Sequence, residues 1–185
     1  MAGPTRWSRV ILAGAITGAI MVAFGTRGGG GEESPPARAS VVPKRLDIPS
    51  LGIKAPLMKL GVTDGRVDLP PYEKPDTAGW VKDSVVPGDE GPAVILGHVD
   101  TKTAPAVFYK LKDIREGQAI KVVRSDGKVA QYRVDSVEQI SKSRFPADKV
   151  YLEDGLRLIT CGGEFDRDDR EYRDNFIVYA TLVKG

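Results

Sequence analysis

Residues 118–140 read QAIKVVR (118–124), SDGK (125–128) and VAQYRVDSVEQI (129–140). Two runs rich in β-branched side chains flank Asp126-Gly127, a dipeptide that accepts the positive φ angles of a tight chain reversal. The pattern predicts a β-hairpin with strands over Gln118–Arg124 and Val129–Ile140. Short strand-like runs continue on both sides of it, over Arg45–Ile48, Pro56–Leu60, Ala93–Gly97, Leu156–Cys161 and Phe176–Val183. Asp64-Gly65, Pro70-Pro71, Pro87-Gly88 and Asp154-Gly155 punctuate them as turns. Only two short helical turns are expected, near Pro105–Leu111 and Pro146–Tyr151. About seven or eight strands with so few helices imply a mostly β fold. The expected form is a closed or nearly closed barrel, which leaves no strand edge bare.

The N-terminal part of the chain reads differently. Val10–Phe24 is an uncharged apolar run, with Arg6 and Arg9 before it and Arg27 after it. Trp7 to Thr26 as a helix would reach about 30 Å, the thickness of a bilayer's hydrocarbon core, with Arg9 snorkelling to the interface. A cleaved signal peptide shares these features. Its cleavage-like triplet, Ala37-Arg38-Ala39, lies too far past the apolar run to suit that reading. Either way, Arg6 and Arg9 favour a cytoplasmic N-terminus and an exported C-terminal domain. The expected organisation is a stub and anchor over residues 1–26, a Gly-, Pro- and charge-rich linker over 27–42, and one domain over 43–185.

Composition excludes several classes. The 27 basic residues are nearly balanced by 25 acidic ones, a net charge of +2, so no basic field marks nucleic acid as a partner. One cysteine forbids an internal disulfide, and one cysteine with one distant histidine excludes the usual zinc and iron–sulfur sites. No metal or other cofactor is expected. The acidic loop around Asp166, Asp168 and Asp169 is interleaved with arginines and lacks the EF-hand glycine, so it reads as a solvated loop.

The candidate chemistry lies in the rare residues. Cys161 closes the run Leu156–Thr160 and precedes Gly162-Gly163, which open backbone space beside the sulfur. A lone cysteine at the end of an apolar strand is commonly a small core residue. In an exported protein, however, an unused free thiol is a liability. His98 follows Ala93–Leu96 and Gly97, again at an expected strand exit. If the strands ending at Cys161 and starting near Phe176 form a hairpin, Arg173 falls at the same sheet edge as Cys161. Arg167 and Arg170 share that loop, and Arg173 is the nearest of the three to the strand.

Leu158-Ile159-Thr160-Cys161 resembles the nucleophile motif of sortases, a strand ending in Thr-Leu-x-Thr-Cys, with Arg157 where that motif has its first Thr. Gly97-His98-Val99-Asp100 resembles the family's histidine motif, and Tyr172-Arg173-Asp174-Asn175 leading into Phe176–Ala180 its arginine strand. The resemblance runs from about Leu46 to Leu182. The Gly-His-Val-Asp and Thr-Cys-Gly-Gly variants, behind an N-terminal anchor, look most like class F sortases of high-GC Gram-positive bacteria.

The resemblance implies a sortase-type barrel and cleavage of a Leu-Pro-x-Thr-Gly-type sorting signal between Thr and Gly. The acyl group would rest on Cys161 as a thioester, with His98 as acid and base and Arg173 on the substrate carbonyl. Thr160 and Gly162 would help shape the oxyanion site. The partners implied are sorting-signal peptides of surface proteins and an amine acceptor, such as a lipid-linked peptidoglycan precursor or a protein lysine. With ordinary pKa values of about 8.5 for cysteine and 6.5 for histidine, the thiolate–imidazolium form is on the order of 1% at pH 7. Either the site lowers the Cys161 pKa or a minor form reacts. Asp100 is a candidate to orient His98. The main rival enzymes, other exported cysteine peptidases and L,D-transpeptidases, commonly place the histidine after or close to the cysteine, whereas His98 comes 63 residues before Cys161. The rival outside enzymes is an exported cell-wall-binding β-domain with a structural cysteine.

Overall fold

Along Val129–Ser141, Ala130, Tyr132 and Val134 are buried while Val129, Gln131, Arg133 and Asp135 are exposed. This period of two is what a strand with one face on a core requires. The computed structural model describes residues 40–64, 66–168 and 171–184. The expected anchor lies outside these residues, as do residues 27–39 of the expected linker and Arg170. Among the described residues, no helix is long and apolar enough to cross a membrane.

The elements in chain order are β1 (Pro43–Ile48), β2 (Ile53–Leu60), β3 (Val62–Thr63), β4 (Arg66–Val67), β5 (Ala78–Val81), β6 (Pro92–Leu96), β7 (Ala119–Arg124), β8 (Val129–Ser141), α1 (Ala147–Tyr151), β9 (Gly155–Asp166) and β10 (Glu171–Leu182). Eight of these strands close into a barrel in the order β1-β2-β5-β6-β9-β10-β8-β7. The hairpin expected around Asp126-Gly127 forms, with Ile120 opposite Tyr132 and Val122 opposite Ala130. Two joints are parallel, β2 with β5 and β6 with β9. The second positions the site, because parallel neighbours deliver their following residues to the same rim of the barrel.

Leu46, Ile48, Ile95, Phe108, Leu158 and Val178 fill the interior without measurable exposure. Each contributes roughly 1.5–3 kcal/mol relative to an exposed side chain. A second cluster covers the opposite face of β6, β9 and β10, where Val94, Leu96, Ile159, Ile177 and Tyr179 meet Val150 of α1. Arg157, the departure from the Thr-Leu-x-Thr-Cys pattern, is buried on this outer face. Its guanidinium donates to the carbonyl oxygens of Lys149, Glu153, Asp154 and Leu156 and lies over the Tyr179 ring. It therefore ties the α1 turn to β9 by satisfying backbone acceptors that the turn leaves open.

Three expectations need correction. Strand β5 was not anticipated, because Ala78-Gly79-Trp80-Val81 is short, carries a glycine and is buried throughout, so it shows no alternation. The helical turn expected over Pro105–Leu111 lies later, as a 3₁₀ turn at Leu111–Asp113, and Pro105 instead bridges Asp100. The third concerns the segment after Cys161. β9 continues to Asp166 and β10 already begins at Glu171, so Cys161 sits within a strand and not at its exit.

Candidate active site

Leu96 pairs with Ile159 across the parallel joint, and the Gly97 N–H donates to the Ile159 carbonyl at 3.1 Å. Carried on by two residues, past the end of β6 at Leu96, that register would bring His98 alongside Cys161. On the other flank, Cys161 pairs with Asn175 of β10. Leu96, Ile159 and Ile177 form one row of the outer cluster. By the two-residue period of a strand, the next row on that face is Cys161 and Asn175, with His98 following just past the end of β6. Neighbouring backbones in such a row lie about 4.8 Å apart.

His98 is only 8% exposed. Its Nε2 lies 2.6 Å from the Pro70 carbonyl oxygen, which can only accept, so Nε2 carries the proton. The Tyr72 ring stacks on the imidazole, centroids 4.2 Å apart and planes 18° from parallel. Gly97 makes this placement feasible: a Cβ there would stand 2.6 Å from the Phe108 ring and 2.7 Å from Val107. Asp100 does not orient the histidine. It accepts from the Tyr172 hydroxyl at 2.5 Å, a bond that pushes the Tyr172 pKa up to about 12. The residues that hold His98, Pro70 and Tyr72, were legible in the sequence only as a Pro-Pro turn.

Cys161 is half-buried with a free thiol. Burial pushes its pKa up; Lys142 acts the other way, while Glu171 and Asp100 add to the rise. Of the two routes, a lowered thiol pKa or reaction through a minor form, these surroundings favour the second. A cleft of about 180 Å³ opens beside the sulfur, bounded by Val99, Tyr109, Gln139 and Tyr172. Thr160 borders it with a hydroxyl that is buried and has no hydrogen-bond partner among the described residues. Gly162 borders it too. A more open depression of about 320 Å³, lined by Gly88, Arg124 and Leu182, contains none of the candidate residues.

Arg173 lies on the β10 side of the hairpin, as expected, but does not face Cys161. Asp174 pairs with Gly162 and Tyr172 with Phe165, so Gly163 and Glu164 together oppose Arg173. Two residues against one, with Gly163 at φ +76°, is a β-bulge of the glycine-first type. Arg173 binds Asp166 at 3.0 Å and Glu164 at 3.6 Å, and its side chain is 60% exposed. Asn175 faces the cysteine instead, about 7 Å further along the strand. Spacing alone did not reveal this because the ladder runs on into a polar stretch that reads as loop.

A family model described as the sortase domain matches residues 46–183. Among solved structures, a lid mutant of sortase A from Corynebacterium diphtheriae is 21% identical with a TM-score of 0.60, over 81% of this chain and 75% of that one. Sortase C1 of Streptococcus agalactiae is 19% identical with a TM-score of 0.58, over 76% and 67%. A Clostridium perfringens sortase D5 transpeptidase is 21% identical with a TM-score of 0.56, over 76% and 78%. These likenesses concern the fold. No curated protein gives a significant sequence match. With the matched domain covering three quarters of its length, the chain belongs to the sortase family of cysteine transpeptidases.

Proposed function

We propose that Cys161 is the nucleophile of a sortase that cleaves Leu-Pro-x-Thr-Gly-type signals between Thr and Gly. The acyl group then passes to an amine of a lipid-linked cell-wall precursor or of a protein lysine. The observation that supports this reading most is the parallel β6–β9 joint, whose register, carried past Leu96, leads the chain's only histidine toward its only cysteine. The motifs Gly97–Asp100 and Thr160–Gly163 favour a class F enzyme.

Because burial raises the Cys161 thiol, the reactive thiolate is the minor form at neutral pH. The thiolate attacks the Thr carbonyl, forming the S–C bond and a tetrahedral oxyanion. Collapse breaks the C–N bond, and the leaving glycine amine takes a proton from the His98 imidazolium. Nε2 stays bonded to Pro70, so Nδ1 is the nitrogen that gives the proton up. The incoming amine then attacks the thioester, gives its proton to neutral His98, and releases Cys161. Arg173 reaches the substrate carbonyl when it leaves Asp166 and Glu164, and Thr160 and Gly162 border the oxyanion. The basic residues Arg6 and Arg9 ahead of Val10–Phe24 support a single-pass anchor with the catalytic domain outside the cell. A cell-wall-binding domain with a structural cysteine is not favoured, since the thiol borders an open cleft.

The test is intact-mass analysis of the full chain after incubation with a Leu-Pro-x-Thr-Gly peptide. An acyl adduct on Cys161, discharged by added amine and absent from Cys161→Ala, is expected. Transfer that persists in Cys161→Ala would sink the assignment.

A further inference from the structure

The residue that faces Cys161 across the β9–β10 ladder is an amide and not a cation. Asn175 pairs directly with Cys161, and side chains of such pairs have Cβ atoms about 4.5–5.5 Å apart on one face. The Asn175 side chain is half-buried and makes no hydrogen bond to the described residues. Among the described residues no hydrogen bond fixes which way the amide is turned, which leaves its NH₂ open to an incoming acceptor. Arg173 differs on each point. It sits two residues further from the sulfur, opposite the Gly163–Glu164 bulge, with carboxylates on its guanidinium at 3.0 and 3.6 Å.

Resting on the thioacyl mechanism above, we propose that Asn175 is a further catalytic residue. Its Nδ2–H donates to the oxyanion that forms when the Cys161 sulfur adds to the substrate carbonyl. His98 and Asn175 then flank the reacting carbon, with the proton-transfer group on one side and the oxyanion donor on the other. A neutral donor suits this place. It stabilises negative charge as that charge develops on oxygen, and it asks for no ion pair to be broken first.

Two small reagents separate this role from a structural one, and neither depends on the sorting signal. p-Nitrophenyl acetate acylates a thiol through a tetrahedral oxyanion: the S–C bond forms, the C–O bond breaks, and p-nitrophenolate leaves. Iodoacetamide alkylates the same thiolate by direct displacement of iodide, with no oxyanion. In Asn175→Ala and in the near-isosteric, neutral Asn175→Leu, acylation of Cys161 is expected to fall about 10²-fold, while alkylation stays within about twofold. Undiminished acylation in both variants overturns the proposal. So does an alkylation rate that changes in both variants as much as acylation does, because Asn175 would then act on the thiol or on the fold. The unaltered chain, run in parallel with a Leu-Pro-x-Thr-Gly peptide, tests the sorting-signal reading separately. If the ester acylates Cys161 and the peptide does not, that reading fails while the assignment of Asn175 stands.

Discussion

Replacing Gly163 by alanine isolates the bulge that lies two residues past Cys161. Gly163 stands at φ +76°, where an L-residue with a Cβ costs about 1–2 kcal/mol. The new Cβ would also stand 2.3 Å from an Asp174 carboxylate oxygen and 2.7 Å from its Cγ. Asp174 must turn away, giving up the 2.7 Å hydrogen bond from Gln139, which at an exposed site contributes about 0.5–1 kcal/mol. Together the change should cost about 2–3 kcal/mol, or roughly 5–10 °C in the unfolding midpoint for a domain of this size. Gly162 is the internal control. Its φ is not left-handed, and an added Cβ would meet Phe176 at 3.4 Å, an ordinary contact. Gly162→Ala should therefore stay within about 0.5 kcal/mol. Thermal unfolding followed by circular dichroism measures both. If the two alanines cost the same, or Gly162→Ala costs more, the bulge is not what the second glycine is for.

Alkylation of Cys161 against pH should give a midpoint above the ordinary cysteine value of about 8.5, because burial disfavours the thiolate. Lys142→Met should move that midpoint further up, since Lys142 favours the charged form and also neutralises Glu171 at 2.9 Å. A midpoint below that of free cysteine, or a downward move in the variant, contradicts this electrostatic account. Arg157→Met strands the carbonyls of Lys149, Glu153 and Asp154 that the guanidinium satisfies, and should destabilise the protein by about 2–3 kcal/mol in urea unfolding. A change below half a kcal/mol would mean that water replaces the guanidinium without penalty.

The barrel was legible wherever strands alternate or run apolar between turn residues. The β7–β8 hairpin, β6, and the first half of β9 all lie where the pattern puts them, because one or both faces of each pack on a core. β5 escaped because four buried residues carry no period. The outer half of the β9–β10 hairpin escaped for the opposite reason. It is a ribbon with little buried surface, held by an edge-to-face Phe165–Tyr172 pair and by ion pairs of Lys142 with Glu171 and of Arg173 with Asp166. Those contacts leave no hydropathy signal, so the segment reads as a polar loop although it is paired backbone.

The site divides along the same physical line. Cys161 and His98 stand out by rarity and by the apolar runs that precede them, and neither inference requires knowing how strands pair. What lies next to the sulfur depends on pairing, and beyond Gly162 that pairing is shifted by one inserted residue. Had β9 and β10 met without the bulge, the register Cys161–Asn175 would have continued to Gly163 opposite Arg173, with Glu164 opposite Tyr172. The bulge moves Tyr172 opposite Phe165 instead and leaves Arg173 facing two residues, one of which, Glu164, binds it. Meanwhile Tyr172 reaches Asp100 across the cleft. The double glycine after the cysteine therefore has two different explanations. Gly162 leaves room beside the cleft, whereas Gly163 lets the strand bulge and so determines which residues oppose Arg173 and Tyr172.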